Sequence, residues 1–222
     1  MQTYAFDISH LLAGSLVLVS FMMIYQDRLY ALLNTFALQA VLLAAAVAWQ
    51  AFIQGASHLY ASAAIALVFK AIIVPWALHR LVQRLGIQRE VETVAGVVPT
   101  MLAGMGLVAL SILLMLELTT TTESALARED LAFALSVILL GMLMMVTRRN
   151  AVSQVVGFMS LENGLILAAA GAEGMPFVVE ISVAFSVLIA MIVIGVFLFR
   201  IRERFDSVDI EAMEQYRGER RS

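Results

Sequence analysis

The segment Thr147–Gly171, TRRNAVSQVVGFMSLENGLILAAAG, is an apolar run long enough to cross a bilayer, and it contains one acid, Glu162. An ionised side chain at the centre of a bilayer costs at least about 2.5–3.5 kcal/mol, so an intramembrane carboxylate indicates a functional site. We therefore predict that Glu162 belongs to a proton or ion relay. The alternative is that Glu162 lies near a helix end or, when protonated, donates a hydrogen bond to a neighbouring helix.

The composition of the whole chain agrees with a membrane segment of this kind. Of its 222 residues, 62% are hydrophobic and 14% are charged, which excludes an ordinary soluble domain and a nucleic-acid-binding protein. Apolar runs of about 20 residues predict spanning helices, because barrel strands would give short alternating segments. The predicted fold class is all-α, a polytopic membrane helix bundle.

Seven apolar segments are long enough, or nearly so, to span a bilayer. They are residues 8–25, 29–53, 58–79, 94–118, 131–147, 153–172 and 177–200. The polar segment between the fourth and fifth, ELTTTTESALARED, is predicted to be an external loop, and residues 205–222 are predicted to form a cytoplasmic polar tail.

The arginines predict the orientation of the bundle, because Lys and Arg near helix ends are retained on the cytoplasmic side. Those in odd-numbered loops or near the C-terminus are Arg28, Arg80, Arg84, Arg89, Arg148, Arg149, Arg200, Arg202, Arg204, Arg217, Arg220 and Arg221. Only Arg128 lies in an even-numbered loop. We therefore predict an external N-terminus and a cytoplasmic C-terminus.

Lys70 is the only lysine, and it lies about ten residues from Arg80, or about 15 Å into the predicted third helix. The alternative to a relay role is that its side chain extends to the nearer interface. Pro75 removes a backbone donor, so we expect a kink here and a carbonyl at Ala71 without its helical partner. Glu162 lies about thirteen residues from Arg149, or about 20 Å along its helix, so we expect Lys70 and Glu162 at similar depths.

Several polar residues complete the set of candidates. In the sixth helix, Gly157 and Gly164 flank Glu162 and favour close packing with a neighbouring helix. In the seventh, Glu180 is a candidate exit group of a proton path or an interfacial acid, and Ser186 is a weaker relay candidate. The first two helices carry scattered polar residues that are expected to form interhelical hydrogen bonds, namely His10, Ser15, Ser20, Asn34 and Gln39.

No cofactor is expected on this chain. Because the sequence has no cysteine, it lacks the ligands of a thiolate-held iron–sulfur cluster and of a covalently attached c-type haem. His10 and His58 both fall near the predicted external face and are conceivable axial haem ligands, but isolated interfacial histidines are commoner. No metal site is predicted.

Three motifs in the last third of the chain resemble the three-helix K-type (chain 4L) subunit of complex I. They are TRRN at 147–150, GFMSLENG at 157–164 and FDSVDIEAM at 205–213. When Lys70 and the I-I-V-P of residues 72–75 are considered together with these motifs, most of the chain is similar to component E of hydrogenase-4 and formate hydrogenlyase-type complexes. The resemblance implies a four-helix membrane extension at 1–130 and a K-subunit-like region at 131–204.

The resemblance also implies a function and partners. Glu162 corresponds to the intramembrane glutamate of K-type subunits, whereas Ser186 or Val187 stands where those subunits usually carry a second one. The chain is then a non-catalytic membrane-arm subunit of a complex I-related, redox-driven proton- or sodium-translocating complex in the bacterial inner membrane. Its partners are other membrane-arm subunits, antiporter-like and quinone-module-like, and membrane lipid.

Three other functions are compatible with the sequence. K-type subunits also occur in multisubunit cation/proton antiporters. A purely structural assembly subunit would use the same polar residues to lock helices together. A stand-alone secondary transporter is disfavoured, because the chain shows no inverted repeat and has an odd number of predicted helices.

Overall fold

A computed structural model describes residues 2–85, 94, 96–118, 125–171 and 192 of the chain. The helices in chain order are α1 (Gln2–Tyr25), α2 (Leu29–Gln54), α3 (Ser57–Ala66), a π-helical segment (Leu67–Ile73), α4 (Val74–Leu85), α5 (Val97–Leu118), α6 (Ala125–Thr147) and α7 (Ala151–Gly171). Over the described residues the fold is all-helical with no β-sheet, as the sequence predicts.

Six helical stretches of the described part are long and apolar enough to cross a membrane. They are Phe6–Tyr25, Leu29–Gln54, Leu59–Gln83, Val97–Glu117, Asp130–Thr147 and Ala151–Gly171. These stretches correspond to the first six predicted segments and are typical of an integral membrane protein. The predicted seventh segment, at 177–200, and the tail, at 205–222, lie outside the described residues, so the count of seven and the orientation stay predictions.

Helix α1 begins at Gln2 instead of residue 8, and two further helix boundaries differ from the predicted ones. Helix α6 begins at Ala125, so the end of the segment predicted to be a loop is helical. Residues 125–129, ALARE, include the good helix formers Ala, Leu, Arg and Glu. At the other boundary, α4 continues without a break to Leu85, because Leu81 and Val82 bury an apolar face against the bundle.

Helix α7 is the central helix of the described bundle, and α5 is peripheral. In the α7 span, 61% of the residues are buried, against 17% in the α5 span. Helix α7 packs mainly against α6 and also contacts α2, while α2 packs against α1, α3 and the π segment. The segment with the predicted relay acid is therefore enclosed by other helices.

One end of the bundle, here called the arginine end, carries Arg28, Arg80, Arg148 and Arg149. Near this end lies an apolar cluster of buried residues that includes Met23, Leu32, Phe36, Val74, Leu78, Val152, Val156 and Met159. A second cluster extends toward the opposite end and includes Ala13, Leu16, Leu43, Ala46, Leu59, Ala63, Ile166 and Leu167. On three of the helical stretches that contribute to both clusters, α2, Leu59–Gln83 and α7, the residues between the clusters include buried polar ones.

These buried polar residues form what we call the polar layer, which consists of Ser20, Gln39, Lys70, Ser160, Glu162 and Asn163. Each is at most 4% exposed. They come from α1, α2, the π segment and α7. The layer is thus a polar stratum between two apolar clusters, near the middle of the spans.

Candidate functional site

Lys70 and Glu162, predicted to lie at similar depths, are in direct contact. The Nζ atom of Lys70 lies 3.3 Å from Oε2 of Glu162. The exposed fractions of the two side chains are 1% and 5%, so neither charge extends to an interface. Lys70 is near the middle of the span Leu59–Gln83, and Glu162 is near the middle of Ala151–Gly171. The alternative of a Lys70 side chain reaching the interface is therefore wrong.

Asn163, next to Glu162 in α7, gives Lys70 a second partner. The Lys70 ammonium donates a hydrogen bond of 2.8 Å to Oδ1 of Asn163. Asn163 Nδ2 in turn donates to Oε1 of Gln39 at 3.1 Å. Both amide side chains are fully buried. The ion pair is therefore the start of a hydrogen-bonded chain that crosses from the π segment through α7 to α2.

Gln39 continues this chain to two serines. Its Nε2 donates to Oγ of Ser20 at 2.8 Å and to Oγ of Ser160 at 2.9 Å. Ser20 donates to the carbonyl of Leu16 at 2.8 Å. The predicted interhelical hydrogen bonding is confirmed for Ser20 and Gln39, and the network links four elements of the bundle. In a medium of low dielectric, such bonds polarise one another and hold each side chain in a single orientation. The predicted interhelical bonding is not found for Ser15, which donates to the carbonyl of Leu12 in its own helix, and Asn34 is exposed.

Lys70 lies in the only π-helical segment of the described residues, Leu67–Ile73. Such wide turns are rare and occur frequently at functional sites. The N–H of Val74, directly before Pro75, bonds to the carbonyl of Phe69, five residues back. Pro75 can donate no backbone hydrogen bond, so the helix before it is free to widen. The expected irregularity before Pro75 takes the form of wide helical turns, in which Lys70 lies against α7.

Glycines bring α6 and α7 into close contact beside Glu162. A Cβ added to Gly164 would lie 2.7 Å from Cγ1 and 2.8 Å from N of Ile138. A Cβ on Gly157 would lie 3.1 Å from N of Met145, and one on Gly141 would lie 2.6 Å from N of Leu161. The predicted close packing at Gly157 and Gly164 is confirmed. This contact fixes the helix that carries three residues of the polar layer.

Arg148 has a structural role that the sequence did not reveal. Its side chain is 2% exposed, and Nη2 donates to the carbonyls of Met23, Ile24 and Gln26 at 3.2, 2.6 and 3.1 Å. These carbonyls lie at the C-terminus of α1, where a cation is favoured by the helix dipole. Burial lowers the pKa of the Arg148 guanidinium, and the charge of Asp27 opposes this shift.

A second cluster of polar residues lies toward the end of the bundle opposite the arginine end. Nδ1 of His10 is 3.6 Å from Oδ1 of Asp130, and Gln50 donates to Ser9 at 3.3 Å. Ser9, Gln50 and Asp130 line a cavity of about 10 Å³, which has room for about one water molecule. His10 thus lies beside a carboxylate, and its role as a haem ligand stays a hypothesis.

The other predicted site residues are not brought together in the described structure. Glu180 and Ser186 lie outside the described residues, as does the side chain of His58. Glu117 is exposed at the end of α5. Within the described part, no group of three His, Cys, Asp or Glu side chains is arranged to hold a metal ion. The polar layer is therefore the candidate site.

A comparison with known proteins places this architecture in a family. The chain is 31% identical over 209 residues to the uncharacterized protein Rv0085 of Mycobacterium tuberculosis (strain ATCC 25618 / H37Rv). It belongs to the same family. The match covers 92% of this chain and 94% of that protein, so the family shares the N-terminal helices as well as the last third. No family model and no solved structure matches the chain.

Proposed function

We propose that the protein is a non-catalytic membrane-arm subunit of a complex I-related, redox-driven ion-translocating complex in the bacterial inner membrane, most like a hydrogenase-4-type assembly. Lys70 and Glu162 are its ion-relay residues. The observation that supports this proposal best is their contact of 3.3 Å in the middle of two spans. The partners would be antiporter-like and quinone-module-like subunits.

The energetics of a buried ion pair favour a functional role over a purely structural one. Replacement of a buried pair by packed apolar residues is often neutral or stabilising by about 1–4 kcal/mol. The π segment, LVFKAII, and helix α7 are otherwise rich in apolar residues, which would join them as well. A lysine and a glutamate at this depth are therefore better explained by a change of charge during turnover.

The polar layer also supplies what a proton relay requires. A proton can pass from the Lys70 ammonium to the Glu162 carboxylate across 3.3 Å, which leaves a neutral amine and a neutral acid. Asn163 and Gln39 extend the polar contacts across the bundle. These contacts run from helix to helix at one depth, which suits transfer toward a neighbouring subunit.

The decisive experiment measures the ratio of ions translocated to electrons transferred in the assembled complex that contains the variant Glu162→Gln. Glutamine keeps the shape and hydrogen bonding of the side chain but cannot ionise. We expect normal assembly and a ratio that is lost or strongly reduced, and we expect the same for Lys70→Met. The control is Glu117→Gln, which alters an exposed acid of α5 and should leave the ratio unchanged.

A ratio equal to wild type in Glu162→Gln would contradict the relay and leave a structural role for the polar layer. The subunits that co-purify with the native protein separate the remaining possibilities. Redox subunits, such as a hydrogenase large subunit and iron–sulfur proteins, are expected. Co-purification of antiporter subunits alone would assign the chain to a cation/proton antiporter.

A further inference from the structure

We infer that oxygen atoms of Glu162 and Asn163 form a monovalent-cation site in which the ammonium of Lys70 is the resident cation, so that the polar layer handles protons and excludes sodium. This inference rests on the proposed function for the statement about which ion is moved. The site itself is a property of the isolated chain and can be tested without the complex.

The first argument is the set of atoms around Nζ of Lys70. Oδ1 of Asn163 lies at 2.8 Å and Oε2 of Glu162 at 3.3 Å. Carboxylate and amide oxygens are the ligands that hard cations prefer. An ammonium group has three donors and no acceptor, so it bonds to the same oxygens that a metal cation would use. The Lys70 ammonium therefore occupies the position of a bound cation.

The second argument is the orientation of the two buried amides. Gln39 uses its Nε2 for Ser20 and Ser160, so its Oε1 faces Nδ2 of Asn163. Asn163 must then present Oδ1 on its other side, toward Lys70. The hydrogen-bonded chain is thus aligned to place an acceptor at the cation. An arrangement of this kind favours a positive charge at this point and disfavours a neutral or negative group.

The third argument is that a sodium ion would have to compete with the Lys70 ammonium for the same space and the same oxygen atoms. Lys70 is 1% exposed, and Glu162 and Asn163 are 4% and 0% exposed. A sodium ion bound to the same oxygens would have to lie beside the ammonium, where like charges repel each other at low dielectric. A proton meets no such obstacle, because Lys70 and Glu162 themselves accept and release it. Lysine at this position therefore selects protons over sodium.

The test uses the purified full-length chain in detergent and follows its unfolding in sodium chloride, methylammonium chloride or choline chloride at equal ionic strength. Lys70→Ala removes the resident ammonium and leaves its space. We expect sodium or methylammonium to stabilise this variant relative to choline. At a salt concentration ten times the Kd, the unfolding equilibrium should shift about elevenfold. The wild-type protein should show no difference among the three salts.

Matched variants distinguish a site from a general salt effect. Lys70→Met fills the vacated space, and Lys70→Ala combined with Glu162→Gln removes the anionic ligand, so neither should respond to sodium or methylammonium. If Lys70→Ala does not fold, Lys70→Ser leaves similar space and adds a hydroxyl ligand. Failure of the folded alanine or serine variant to respond would overturn the inference. The inference would also be overturned if sodium stabilised the wild-type protein and the substitution Glu162→Gln abolished this stabilisation.

The outcomes separate this inference from the proposed function. Ion translocation by the assembled complex should not depend on sodium, and a strict sodium requirement would contradict proton selection. If Lys70→Ala responds to cations while Glu162→Gln leaves the translocation ratio unchanged, the cation site stands and the relay fails. If the ratio falls but the alanine and serine variants ignore cations, the relay stands and the cation site fails.

Discussion

At the scale of single residues, the polar layer shows which side chains a sequence can identify. Lys70 and Glu162 are recognisable because a charge is rare inside an apolar run, and the sequence predicted similar depths for them but not their direct contact. The place of Gln39 at the centre of the hydrogen-bonded chain was not predictable. A lone amide has the same sequence signature whether it joins two helices or three, and the partners of Gln39 are up to 124 residues away.

Arg148 shows the same limit for a charge at a helix end. The arginine pair at 148–149 indicates orientation in the sequence, and the structure gives its two members different surroundings. Arg148 is buried against the end of α1, whereas Arg149 is exposed. The carbonyls that Arg148 contacts lie more than 120 residues earlier. No local pattern distinguishes such an arginine from its neighbour.

This difference gives a prediction. Arg148→Met removes the donor from three carbonyls at the C-terminus of α1 and should destabilise the protein by about 2–4 kcal/mol, because hydrogen bonds from charged groups and helix-dipole interactions are both lost. The measurement is unfolding in mixed detergent and sodium dodecyl sulfate. The control, Arg149→Met, should change stability by less than about 0.5 kcal/mol. Equal effects of the two substitutions would show that the buried contacts contribute little.

At the scale of elements, the helices were predictable and their local irregularities were not. Apolar runs gave the positions of six spans, because the length of a spanning helix is set by the bilayer. Pro75 indicated an irregular helix, but it did not reveal that the irregularity would be a π segment over Leu67–Ile73. Lys70 of this segment contacts Glu162 and Asn163 of α7, and these contacts are not encoded in the local sequence.

The contact between α6 and α7 gives a prediction at this scale. Gly164→Ala places a methyl group 2.7–2.9 Å from atoms of Ile138 and Ala134, so the two helices must separate or shift. We expect a loss of about 1–3 kcal/mol of stability from overpacking. The measurement is again unfolding in mixed detergent and sodium dodecyl sulfate.

The matched control is Gly106→Ala on α5, where no neighbouring atom lies within 4 Å of an added Cβ. Alanine there should be neutral or stabilising by up to about 1 kcal/mol. A stable Gly164→Ala protein would mean that this contact is not tight.

At the scale of the whole molecule, the arginine distribution predicts the topology. A reporter fused after Ser222 should be active only in its cytoplasmic form, and one inserted at Gly55, between α2 and α3, only in its external form. The physical reason is that Lys and Arg near helix ends resist translocation. Activity of an external reporter after Ser222 would contradict the predicted count of seven helices. Cytoplasmic activity at Gly55 would reverse the orientation.

The position of the polar layer has an electrical consequence. Lys70 is near the middle of the span Leu59–Gln83, and an apolar cluster lies on each side of it. Because both clusters are apolar and the polar layer lies between them, a charge moved from the layer to either membrane surface crosses about half of the transmembrane voltage. At 100 mV this is about 1.2 kcal/mol per elementary charge. Any net gain or loss of a proton by this layer is therefore electrogenic, whichever surface supplies or receives the proton.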